Sequence, residues 1–92
     1  MPKLAVYKFL TFYVYSFDLL NEPPHIHVVK EKGARQKACK IWLNSLIVAK
    51  KGNFNSKELQ LVLNIVTENQ SLLLRVFQQA KKKKSFKTLR LK

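Results

Sequence analysis

Residues 21–44, NEPPHIHVVKEKGARQKACKIWLN, contain two of the three prolines, both histidines and the single cysteine and tryptophan of a 92-residue chain. Pro23 and Pro24 lack an N–H and hold the residue before each in extended geometry, so they stop one strand and aim the next. His25 to Lys30 and Arg35 to Leu43 then read as a hairpin, with EKGA at 31–34 supplying a turn centred on Gly33. On a strand, residues two apart share a face. His25 and His27 therefore point to one side and Ile26 and Val28 to the other. Across the turn, Cys39, Ile41 and Leu43 oppose Ala38, Lys40 and Trp42. The expected sheet has one apolar face and one face of histidine, lysine and an aromatic.

Upstream, LAVYKFLTFYVYS at 4–16 is rich in the β-branched and aromatic residues that suit a pleated surface. It is too long for one strand of a small domain and predicts a hairpin turning near Lys8. Downstream, Gly52 and Asn53 mark a turn. In NSKE, Asn55 is an N-cap and Glu58 completes a capping box. From there the apolar positions 59, 62, 63, 66, 73, 74 and 77 form a core-facing helical stripe. Leu61, Ile65, Leu72 and Val76 form a second stripe beside it, which either packs under the tail or the loop at 44–54, or meets a partner or a second copy, giving a homodimer through the helix. The periodicity runs through ENQS at 68–71 without fixing whether residues 56–80 are one helix or two.

The expected fold is α+β: a small antiparallel sheet of about four strands packed by a long C-terminal helix, broken near Asn69 or continuous. Residues 1–80 form one compact domain and 81–92 a basic tail. A chain this short buries about 60% of its unfolded surface and holds a single core. The apolar share of 47% excludes a disordered protein. No apolar run approaches the roughly 20 residues of a membrane span, the N-terminal stretch has no signal-peptide cleavage pattern, and one cysteine leaves no disulfide framework. A soluble protein of a reducing cytoplasm is expected.

Eighteen Lys and Arg against five Asp and Glu give a formal charge of +13, and KKKKSFKTLRLK at 81–92 carries seven of the cations with no anion. Such an imbalance favours a polyanionic partner. Lys30, Lys37, Lys81, Lys82, Lys83, Lys84, Lys87 and Arg90 are candidate phosphate contacts, unspecific and salt-sensitive. Tyr7, Phe9, Phe12, Tyr13, Tyr15, Phe17 and Trp42 could stack bases, although strands favour such residues as packing anyway.

The two histidines admit three readings. A zinc site needs three or four ligands, and Asp18, Glu22, Glu31 and Cys39 supply no second pair at ligand spacing, so no metal or cofactor is implied. In a catalytic reading, His25 and His27 move protons, Glu22 orients a histidine or acts as base, and Arg35 or Lys40 steadies a phosphate during metal-independent RNA cleavage. In a structural reading, the prolines fix the strand entry and the imidazoles satisfy hydrogen bonds across the sheet.

The order FYVYS, EPPHIHV, KIWLN, FNSKELQ and ENQSLLL resembles the small bacterial family called domain of unknown function 4160, from Met1 to about Gln79. Glu22, Pro23, Pro24, His25, His27, Trp42, Leu43, Glu58, Leu59, Glu68 and Asn69 match its pattern. The resemblance implies a cytoplasmic component of a toxin–antitoxin pair with a cognate small, antitoxin-like protein. Read with the charge, it gives a toxin-like protein acting on nucleic acid, RNA before DNA, as a ribonuclease or as a non-enzymatic binding module. The chain departs from the family in Phe9 where the first turn usually has glycine, in Leu61 and Leu63, in Arg75 to Phe77, and in its lysine tail.

Overall fold

The computed structural model describes residues 3–14, 22–30, 37–82 and 89–91. The strands are β1 (Lys3–Tyr7), β2 (Leu10–Tyr13), β3 (His25–Val29), β4 (Cys39–Trp42), β5 (Val48–Lys50) and β6 (Leu89–Arg90), with helices α1 (Ser56–Glu68) and α2 (Gln70–Lys81) between β5 and β6. They build the expected α+β fold as one sheet in the order β5-β4-β3-β2-β1-β6. Five strands are antiparallel neighbours, and β6 joins β1 in parallel.

Two strands exceed the expected four. β5 is a three-residue edge inside the segment read as a loop. β6 comes from the segment read as a tail: Leu91 donates its N–H to the Val6 carbonyl at 2.8 Å and is buried in the main core. A buried leucine contributes about 1.5–3 kcal/mol. Pairing with β1 and the burial of Leu91 join residues 89–91 to the sheet.

The first hairpin turns where expected. Tyr7 pairs with Leu10 across Lys8 and Phe9, and Lys8 takes the left-handed backbone, φ 50°. The second turn, at 31–34, lies outside the described residues, as do residues 15–21.

Alternation then sorts the side chains. Ile26, Val28, Cys39, Ile41 and Leu43 are fully buried under the helices, with Leu10, Phe12 and Val14 from the first hairpin. From the helices come Val62, Ile65, Val66, Leu73, Val76, Phe77 and Ala80. The second helical stripe is thus divided. Ile65 and Val76 are core residues and cannot meet a partner, whereas Leu61 and Leu72 stay exposed. The reason is a wider helix-facing arc than the first stripe alone; Leu59, Leu63 and Leu74 pack only partly against the core.

The helix starts as the capping box requires: Asn55 Oδ1 accepts the Glu58 N–H at 2.8 Å, and Glu58 Oε1 accepts the Asn55 N–H at 2.9 Å. It breaks at Asn69, whose side-chain amide donates to the Ile65 carbonyl at 2.8 Å. Gln70 then donates to the Leu43 carbonyl at 2.6 Å. Leu43 in turn donates its N–H to the Pro24 carbonyl at 3.0 Å. The break therefore ties the start of α2 to the strand pair that carries the histidines.

Candidate functional site: the outer face of the sheet

The face turned away from the helices carries what alternation assigned to it. Tyr13 is the register partner of His27, His27 of Lys40, and Lys40 of Lys50. Cross-strand partners lie on the same face. One residue from each of β2, β3, β4 and β5 thus forms a row of about 14 Å across the sheet at ~4.8 Å per strand. His25 and Trp42 are paired in the next row. A small buried cluster of Tyr13, Val29 and Ala38 lies apart from the main core.

The rings pack against one another. Tyr13 and His27 stack with centroids 5.4 Å apart and planes at 20°. His25 meets His27 edge-on at 5.1 Å and 90°, Trp42 at 5.7 Å, and Phe77 of α2 at 5.7 Å. His25 is fully buried and His27 partly so. Nδ1 of His25 lies 2.9 Å from the Pro23 carbonyl. A carbonyl only accepts, so Nδ1 carries the proton and the prolines fix the ring's tautomer and direction. Touching both Phe77 and His27, this imidazole bridges the helix layer and the outer face.

Lys40 is held by two neighbours. Its ammonium donates to Glu22 Oε1 and lies 4.5 Å from the Trp42 ring centroid. The ion pair is partly exposed, so Lys40 keeps a reachable positive charge beside His27. Its counter-ion stands immediately before the prolines, and this links the EPPH motif to a cation on the neighbouring strand.

The structure therefore brings together Glu22, His25, His27 and Lys40. Arg35, Lys83, Lys84 and Lys87 lie outside the described residues, as does the side chain of Arg90. Lys37, Lys81 and Lys82 are exposed.

Lys30 is placed differently from its expected phosphate contact. Its Nζ donates to both Glu58 oxygens at 3.0 Å and to the Asn53 carbonyl at 3.1 Å, and lies 5.0 Å from the Phe54 ring centroid. The even positions of β3 face the helices and Lys30 continues that side, so it reaches the start of α1. Hydrogen bonding by the Asn55 N–H and by Lys30 holds the Glu58 carboxyl below its usual pKa. Cys39, the register partner of Val28, is buried, and the loss of solvent pushes its thiol up to about 11. It stays protonated at neutral pH and offers no thiolate. Among the described residues no three His, Cys, Asp or Glu side chains converge as metal ligands.

Sequence reasoning passed over three contributors. Tyr13 was one aromatic among seven. Lys50 belonged to a presumed loop, although VAK read as a strand would have placed it at an edge. Phe77 reaches His25 through a helix packing that no local pattern encodes.

An α+β domain with a histidine-bearing sheet face and an opposite face sealed by two helices is the class so defined. The family model for Domain of unknown function (DUF4160) matches residues 10–78, and the chain belongs to that family. No curated protein and no solved structure matches it. No helix among the described residues is long and apolar enough to cross a membrane.

Proposed function

We propose that this chain binds single-stranded RNA across the outer face of its sheet and acts there as the toxin-like member of a toxin–antitoxin pair in the cytoplasm, opposed by a small antitoxin-like protein. The observation that carries the reading is the row Tyr13, His27, Lys40, Lys50, in which a partly exposed imidazole lies between an aromatic ring and a cation. Tyr13 is too deeply buried to stack a base itself, so it orients His27. Lys40 supplies charge for a phosphate, and Glu22 positions Lys40.

Burial alters the chemistry expected from sequence. With no exposed surface, His25 cannot touch a substrate oxygen, so the proposed chemistry has no relay between two histidines. It is a positioning residue that holds the edge of the His27 ring. In the cleaving form of the proposal, His27 takes the proton of the 2′-hydroxyl as its oxygen bonds to phosphorus and gives it to the 5′ oxygen as the P–O5′ bond breaks, leaving a 2′,3′-cyclic phosphate and a 5′-hydroxyl, while Lys40 stabilises the negative charge on the non-bridging oxygens. Binding without cleavage is the second reading, and the burial of His25 favours it by removing one proton carrier.

Induction of the wild-type chain and of a folded His27→Ala variant in a bacterial host, with growth and total RNA followed together, separates these readings. Arrest with RNA breakdown in the wild type alone supports cleavage through His27. Arrest with intact RNA that co-purifies with the protein supports binding. Normal growth together with no affinity of the purified chain for RNA would sink the proposal.

A further inference from the structure

The row of outer-face residues ends at Lys50, beside further positive charge that lies past the histidines. β5 is an edge strand, and Lys50 and Lys51 at its end are exposed. Lys37, distant in sequence, is brought beside them: the Asn53 N–H donates to the Lys37 carbonyl at 3.1 Å. Gly52 permits that approach. It has φ +63°, and a Cβ there would stand 2.5 Å from the carbonyl oxygens of Lys37 and Ala38.

The backbone thus brings three exposed lysines together where β5 meets the Gly52 turn, and among the described residues none of them pairs with a carboxylate. Of the acids among the described residues, Glu22 is engaged with Lys40 and Glu58 with Lys30. Lys50 also faces Lys40 across the strands, and like charges placed directly opposite destabilise a sheet. Glu22 compensates Lys40 alone.

We propose that Lys37, Lys50 and Lys51 form the phosphate-binding exit of the RNA track: a strand crossing the outer face beside His27 and Lys40 leaves over the β5 edge with its phosphates on these lysines. The proposal rests on the RNA-binding reading above and adds the place and direction of binding. Continuity with the row selects this edge. The lysines at the end of α2 belong to a helix that packs against β1, on the far side of the sheet.

The test measures binding of a labelled single-stranded RNA oligonucleotide to the full chain over a salt series. The variants are Lys37→Gln/Lys50→Gln/Lys51→Gln, the same positions changed to Arg, and Arg75→Gln/Lys81→Gln/Lys82→Gln on α2 and its C-cap. Three lost phosphate contacts should reduce the slope of log affinity against log salt by about 2, with the arginine variant unchanged and the distant triple losing less than half as much. A wild type that binds no RNA overturns both this proposal and the reading beneath it. RNA binding whose slope is the same in the β5 triple, or falls equally in the distant one, overturns the exit alone. Polyglutamate displacing the RNA at equal charge concentration overturns it in favour of an acidic protein partner. Self-association of the β5 triple with its RNA slope intact overturns it too, and makes these lysines guards of an open edge.

Discussion

The two faces of the sheet draw alternate residues from the same strands. On the helix-covered side, Ile26, Val28, Cys39, Ile41 and Leu43 are sealed from solvent against α1 and α2. On the other side, His25, His27, Lys40 and Trp42 hold one another through ring contacts, a cation over an indole and an ion pair. Each face also has its own lysine–glutamate pair. Lys30–Glu58 joins the sheet to the first turn of α1, and Lys40–Glu22 lies beside His27. Covered-side interactions fix position through burial, whereas the outer side keeps the His27 ring and the Lys40 ammonium partly exposed. The covered face thus answers for stability, and the outer face is where the proposed RNA recognition would act.

Truncation on the covered side should do the most damage. Phe77 is fully buried between the core and His25, and Phe77→Ala should cost about 3–5 kcal/mol. A domain of this size has about 5–14 kcal/mol in all. A urea titration should show the midpoint falling in proportion, by about a fifth or more of its wild-type value. A loss below about 1 kcal/mol would mean that Phe77 is not a packing element and that the two faces are not divided as described.

The histidines give the next largest effect, and they should separate although they share a strand face. His25→Ala removes a buried ring and its hydrogen bond to the Pro23 carbonyl, a loss of about 2–3 kcal/mol. His27→Ala, only partly buried, should cost about 1 kcal/mol yet abolish the RNA-dependent effect. His25→Gln, able to donate to the same carbonyl, should recover part of the stability. Equal destabilisation by both alanine variants would place His27 with the structural residues and remove it from the site.

The face of each histidine was legible in HIHVV, because a period of two is visible in five residues; its depth was not. Alternation says which side a ring takes and nothing about Phe77 arriving from a helix fifty residues later. The start of α1 was legible in NSKE, since a capping box is local. Whether it broke at Asn69 was not, because the apolar spacing continues through ENQS and the interruption depends on Gln70 reaching Leu43 across the fold. β5 and β6, of three and two residues, are too short to carry a period, and their pairing comes from neighbours. Lys30 looked like any surface lysine for the same reason: its partner is 28 residues away.

The smallest effect concerns acid. Glu58 has its folded pKa lowered from 4.5, first by the Asn55 N–H and then by Lys30. A depressed carboxylate stabilises the fold fully above its unfolded pKa, and that stabilisation is lost as pH falls through the folded value. Glu58→Gln should therefore be less stable than the wild type at neutral pH, with the gap narrowing as pH falls through the lowered folded pKa, below which carboxyl and amide carry the same charge. Urea midpoints at neutral and acid pH check this, and a gap that is constant or widens on acidification would show that the carboxylate charge contributes nothing. Glu22→Gln in the same series sharpens the division between the faces. Breaking its partly exposed pair with Lys40 should change stability by about 1 kcal/mol or less while altering RNA affinity, because on the outer face that carboxylate serves to hold a cation in place and not to join two layers.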